Sequence, residues 1–304
     1  MKKILKRLSL FTALIGLIIL AACSESDSGD NADNASDDYS AEVDYTITGI
    51  EPGAGISVTT EKVMEEYDEL QGWDLSLSST GAMMSELSKK IDNEEPIIIT
   101  GWNPHWMFSK YPDMKYLDDP KGIYGGEENI NTLARLDLEQ ENPEAYKLID
   151  QFEWEVEDME SIMYEANQTG EEIEVIAEQW VEENEDKVSK WIENVADVDN
   201  VDFELVSTPW DSERASSGVL KVAMEQKGFN VTVTPVDVAI VFESIANGDA
   251  DATVAAWLPG THKDFYEKHK DNVTDLGANL TGTKIGLTVP GYMDIDSIED
   301  LQAK

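Results

Sequence analysis

An internal duplication constrains this chain more than any other feature. One copy begins Val43-Asp44-Tyr45, passes through the apolar run Ile97-Ile98-Ile99 and reaches Gly101-Trp102-Asn103-Pro104-His105. The other begins Val201-Asp202-Phe203, passes through Ala252-Thr253-Val254-Ala255 and reaches Ala256-Trp257-Leu258-Pro259-Gly260-Thr261-His262. The offset is 158 at the start (201 minus 43) and 155 at the tryptophans (257 minus 102). A repeat this long is a supersecondary assembly used twice.

Both copies follow one order. A strand (Tyr45 to Ile50; Phe203 to Ser207) leads through a polar loop into an amphipathic helix (Thr59 to Glu69; Ser216 to Lys227). A second strand, another helix and the buried strand ending in Trp-x-Pro complete the unit. Strands alternating with helices predict mostly parallel sheets flanked by helices. The expected fold class is therefore α/β and two-lobed, one lobe per copy, with a ligand cleft between them.

The expected boundaries are a signal peptide over 1–22, a disordered tether over 23–44, the core of lobe 1 over 45–127 and that of lobe 2 over 201–280. A helical, hinge-crossing segment over 128–200 and a crossover and C-terminal segment over 281–304 complete the division. Asn131 to Leu136 and Lys284 to Pro290 are the candidate crossings. In the Glu-rich part of the middle segment, Trp154, Trp180 and Trp191 fall on apolar helical stripes and read as packing residues.

The first residues predict an export signal. Lys2, Lys3, Lys6 and Arg7 precede an apolar run from Leu8 to Leu20, too short for a membrane span, which takes about 20 residues. Leu20-Ala21-Ala22-Cys23 has the pattern of a lipobox, with Cys23 as the lipidated residue. Cys23 is the only cysteine, so no disulfide can form within the chain. Two acyl chains on one residue supply the double signal that stable anchoring requires. The polar stretch that follows cannot offset the entropy of its own ordering.

The chain carries 22 basic and 63 acidic residues, a net charge of −41. Removing the signal's four basic residues leaves 18 minus 63, or −45. That excludes nucleic acid as a partner. The acidic residues are spread over the whole chain and read as a solubilising coat. No nucleophile elbow, phosphate-binding glycine loop or paired metal-spaced histidines occur, so an enzyme, a cofactor and a metal are all unexpected. Asp249-Ala250-Asp251 and Asp294-Ile295-Asp296 lack the glycine and distal glutamate of a calcium loop.

Ligands of open parallel sheets sit beyond the carboxyl ends of the strands. Trp102 and Trp257 occupy that position in the two copies, and Trp210 follows the strand ending at Ser207. A quaternary ammonium donates no hydrogen bond and is held by π faces, of which tryptophan is the best. Three faces contribute roughly 1.5 to 6 kcal/mol, whereas a micromolar complex needs about 8 kcal/mol. A second anchor is expected, and for a zwitterion it is the carboxylate. The turn Glu51-Pro52-Gly53-Ala54-Gly55-Ile56-Ser57 offers backbone N–H groups at a helix start. His262, a loop histidine, offers a ring nitrogen.

These residues resemble the glycine-betaine-binding lipoproteins of OpuA-type ABC importers. The resemblance runs from about Thr46 to Leu301 and is densest at PIIITGWNPHWMFSKY (Pro96 to Tyr111), KYLDDPK (Lys115 to Lys121), WDSE (Trp210 to Glu213) and AWLPGTH (Ala256 to His262). It implies a type II periplasmic-binding-protein-like fold, a cage of Trp102, Trp210 and Trp257, a carboxylate site at the amides of Gly55 and Ile56, and a contribution from His262. It also implies a monomer that delivers a glycine-betaine-like zwitterion to an ABC permease and its ATPase, anchored by lipid on the outer face of a Gram-positive-type cell membrane. Carnitine, choline or proline betaine, or a sensory binding role, are the alternatives. The chain departs from the family pattern beside the cage, at Asn103, Thr208-Pro209 and Gly260.

Overall fold

The computed structural model describes Asp38–Lys304. The signal, Cys23 and the first part of the tether lie outside the described residues.

Helix α1 (Tyr39–Glu42) precedes β1 (Thr46–Gly49), α2 (Gly55–Glu66), β2 (Asp74–Leu77), α3 (Thr80–Asp92) and β3 (Ile99–Asn103). Then come α4 (Trp106–Lys110), β4 (Lys115–Tyr116) and β5 (Glu128–Arg135). Five helices follow: α5 (Leu138–Glu141), α6 (Pro143–Gln151), α7 (Val156–Thr169), α8 (Ile173–Glu183) and α9 (Glu185–Trp191). The second copy supplies β6 (Val201–Ser207), α10 (Asp211–Glu225), β7 (Phe229–Pro235), α11 (Val238–Asn247), β8 (Ala252–Leu258), α12 (Lys263–His269) and the long β9 (Val273–Val289).

The duplication is visible in the topology. The sheet path runs β2-β1-β3-β9-β5-β8-β6-β7. Strand β1 pairs in parallel with β2 and β3, and β6 pairs in parallel with β7 and β8. Each triplet then gains an antiparallel neighbour, β9 beside β3 and β5 beside β8. The lobes are thus mixed, with a parallel triplet in each. Strand β9 serves both: Lys284 to Thr288 pair with β3, and Val273 to Thr283 pair with β5. Strand β5 pairs along its length with β8 and β9, so Asn131 to Arg135 run within the second lobe's sheet, and Leu136 lies in the turn beyond it.

Local chemistry explains the elements. All seven residues of β8 are buried, as a strand covered on both faces requires. The Ser79 hydroxyl accepts the Ala82 N–H at the start of α3, and Asn142 does the same for Ala145 before Pro143 opens α6. Trp154, Trp180 and Trp191 pack on one another, with Trp180 and Trp191 stacked at 6.1 Å. All three are buried.

Two expectations are revised. The tether does not run as disordered chain to residue 44: Tyr39–Glu42 is a helical turn, and the buried Ser40 accepts the Gln302 N–H at 2.9 Å. The first helix of each copy also starts earlier than its apolar periodicity predicts, at Gly55 instead of Thr59 and at Asp211 instead of Ser216. In both, the first residue meets the other copy: Gly55 lies against Thr261 and His262, and Asp211 accepts from Trp106.

Candidate functional site

The strand ends converge. Trp102 is the fourth residue of β3, Trp257 the sixth of β8, and Trp210 is the N-cap of α10, three residues beyond β6. Both Trp-x-Pro sequences contain a cis X–Pro bond. The three indoles line one cavity with Ile50, Ala54, Gly55, Ile56, Ser212, Glu213, Thr261, His262 and Ile285. Its enclosed volume is only about 30 Å³, room for about one water molecule, so the rings stand close together. Every residue expected from the sequence to touch ligand is in this lining.

At one side of the cavity Gly55 and Ile56 open the twelve-residue helix α2. The first N–H groups of a helix have no intrahelical acceptor, and the helix dipole is positive there. His262 lies beside them, since a Cβ on Gly55 would stand 3.1 Å from His262 Cδ2 and 2.6 Å from the Thr261 carbonyl oxygen. Only glycine permits this approach.

His262 is not a surface loop residue. It is 1% exposed and forms the N-cap of α12. Its Nδ1 accepts the Trp257 backbone N–H at 3.0 Å, which leaves the ring proton on Nε2 as a donor. Burial lowers its pKa to about 3, so the ring is neutral at physiological pH. The Gly55 and Ile56 amides and the His262 imidazole thus belong to residues lining the same cavity.

The ring positions are fixed by carboxylates that sequence reasoning missed. Trp257 Nε1 donates to Glu213 at 2.8 Å, Trp210 Nε1 to Glu51 at 3.3 Å, and Trp106 Nε1 to Asp211 at 3.1 Å. The last two bonds cross between lobes. Glu213 is 1% exposed and burial raises its pKa to about 7. Trp102 instead packs edge-on against buried His105, with ring centroids 4.5 Å apart. His105 Nδ1 accepts the Met107 N–H at 3.1 Å, as His262 does for its own copy, and burial lowers its pKa to about 3.

Gly260 has a packing reason. The buried Glu128 accepts the Thr261 N–H at 2.7 Å and its hydroxyl at 2.5 Å. A Cβ on Gly260 would collide with Glu128 Oε1. Glu128, at the start of β5, thus holds the Gly260-Thr261-His262 turn against the cavity, and burial raises its pKa.

Comparison with known proteins shows the family. Residues 24–183 and 202–304 match the OpuAC family, the substrate binding domain of ABC-type glycine betaine transport systems. The chain belongs to this family. The glycine betaine/carnitine transport binding protein GbuC of Listeria monocytogenes is 43% identical over 295 residues, covering 96% of this chain and 97% of that one. Lactococcal OpuAC, solved in a closed-liganded conformation complexed with glycine betaine, is 50% identical over 49% of this chain, with a TM-score of 0.47. The ProX protein of Borrelia burgdorferi is 33% identical over 51% of this chain, with a TM-score of 0.48. In both structural comparisons the chain spans 58% of the solved chain.

As an OpuAC family member the chain is an extracellular-facing substrate-binding protein of an ABC importer, not an enzyme. No helix among the described residues is long and apolar enough to cross a membrane.

Proposed function

We propose that this OpuAC protein captures glycine betaine, holding the trimethylammonium among Trp102, Trp210 and Trp257 and the carboxylate at the N–H groups of Gly55, Ile56 and His262. One observation carries the reading: indoles from both lobes, a helix N-terminus and a neutral histidine donor line the same cavity. The π faces suit a cation that cannot donate, and the donors suit an anion. The match to GbuC, itself named for glycine betaine and carnitine, supports the ligand class. Choline would leave the carboxylate donors unpaired, at a cost of about 1 to 3 kcal/mol per buried group.

In this reading the monomer is tethered through lipidated Cys23 and presents its closed, loaded form to the permease. Calorimetry with glycine betaine, proline betaine, carnitine and choline tests it. Glycine betaine binding at least about tenfold tighter than choline supports it; equal affinities would sink the carboxylate site. Affinity should be nearly unchanged between low and high salt, because a net-neutral zwitterion gains little from long-range fields. Replacing Cys23 by Ala should release the protein into the medium, and continued membrane retention would count against the anchor.

A further inference from the structure

The cavity wall contains one carboxylate with no cationic partner. Glu213 is 1% exposed, Ser212 Oγ donates to it at 2.5 Å and Trp257 Nε1 at 2.8 Å. No lysine, arginine or histidine among the described residues makes an ion pair with it. Its neighbour Arg214 is engaged elsewhere, bonding Glu172 and Glu174 at 2.6 to 2.8 Å. A buried charge without a partner is expensive, and such a group stays neutral until a counter-charge arrives.

We infer that Glu213 is the counter-charge of the site: a specificity-determining residue whose carboxyl, protonated in the empty cavity below neutral pH, ionises when a quaternary ammonium occupies the tryptophan cage. The inference rests on the proposed function and deepens it. It explains why a site that can already hold a cation by π faces places an acid at Trp257, the cage member buried deepest. Ionisation also strengthens the bond from Trp257 Nε1, since a charged acceptor holds its donor more tightly, so loading the cage and fixing its ring become one event. The proton balance is explicit. One proton leaves the Glu213 carboxyl for the buffer as one ligand enters.

Several groups face Glu213. Asp211 lies on its own helix and raises its pKa, and burial does so more strongly. From α8 comes Glu174, held by Arg214. The β8 side contributes His262, which burial keeps neutral. Lobe 1 contributes Glu51, bonded to Trp210, and the positive N-terminus of α2. Glu128 is occupied by Thr261. Of these groups His262, with its pKa lowered to about 3, does not titrate between pH 5.5 and 8.5, while Glu213, raised to about 7, does.

The test is calorimetry of the full chain with glycine betaine across that pH range, in phosphate and in Tris, whose ionisation enthalpies differ. Below pH 7 the wild type should release up to one proton per ligand, and its affinity should rise about tenfold per pH unit before levelling off. Glu213→Gln keeps an oxygen acceptor for Trp257 but not the charge. It should bind at least about tenfold more weakly at pH 8, with a flat pH profile and no proton release. A wild-type protein that binds glycine betaine with no proton release overturns the inference, whether or not the variant folds. So does a variant with the wild-type pH slope. Both outcomes leave the cage reading standing, whereas absence of glycine betaine binding by the wild type defeats the proposed function itself.

Discussion

Trp257 is held at three points: its backbone N–H by His262, its indole N–H by Glu213, and its chain by β8. Trp180 is also buried, but its ring packs on other aromatics and under the Lys187 ammonium. Truncation should separate the two roles. Trp102→Ala, Trp210→Ala and Trp257→Ala should each weaken glycine betaine binding by about 0.5 to 2 kcal/mol or more, from the lost π face. Trp180→Ala should cost about 3 to 5 kcal/mol of stability and leave the affinity of the folded fraction intact. Calorimetry and denaturant melts on the same samples distinguish them, and normal affinity after removal of two cage rings would refute the cage. Gly55→Ala is a sharper probe, since its methyl would stand 2.5 Å from Thr261 Cγ2. Overpacking of about 1 to 3 kcal/mol should appear as weaker binding, because the clash exists only where the lobes meet. The proposed cage was legible in the sequence because Trp102 and Trp257 recur at matching strand ends. Glu213, Asp211 and Trp106 were not. Their roles depend on which helical face they occupy, and α10 opens with Asp211-Ser212-Glu213, which shows no apolar period.

Among the elements, the N-termini of α2 and α10 face each other across the cleft. Glu51, just before α2, accepts from Trp210 at the cap of α10, and Asp211 in the first turn of α10 accepts from Trp106 in α4. These reciprocal bonds, with the exposed Lys62–Asp264 pair at 3.1 Å, join lobe to lobe. The exposed pair contributes little. The indole bonds contribute more, and Trp106→Phe keeps the ring while deleting the donor. We expect that variant to bind glycine betaine about 1 kcal/mol more weakly, with the loss in a faster dissociation rate; stopped-flow fluorescence measures both rates, and an unchanged off-rate would show that the bond plays no part in holding the lobes shut. The parallel triplets could be read from strand–helix alternation. The antiparallel placement of β5 and β9 could not, because pairing partners distant in the chain leave no local periodicity.

At the scale of the molecule, three fully buried titratable groups set opposing pH dependences. His105 and His262, with pKa lowered to about 3, are neutral when folded but charge on unfolding below about pH 6.5. Their contribution is present above pH 6.5 and is lost as pH falls toward 3, by about 4 to 5 kcal/mol each at most. Glu213, raised to about 7, acts oppositely: the folded state keeps a proton that the unfolded chain has lost above pH 4.5. Stability from this group is therefore lost as pH rises from 4.5 through 7, by about 3 kcal/mol. The ligand-free Glu213→Gln variant should accordingly gain melting temperature relative to wild type as pH rises from about 5 to 8; a constant difference in thermal melts would contradict this pH dependence. The acidic coat, legible in composition alone, adds self-repulsion that salt relieves. The described chain closes on itself. The buried Ser40 accepts from Gln302, Trp73 Nε1 donates to the Gln302 carbonyl at 2.8 Å, and the Lys304 N–H reaches the Gln71 carbonyl at 3.0 Å. With its first and last described segments on the same lobe, the molecule is suited to circular permutation: a short linker would join them, and new ends opened near the exposed Ala196 and Asp197 would reverse the order of the two copies while leaving every residue of the proposed cage in place.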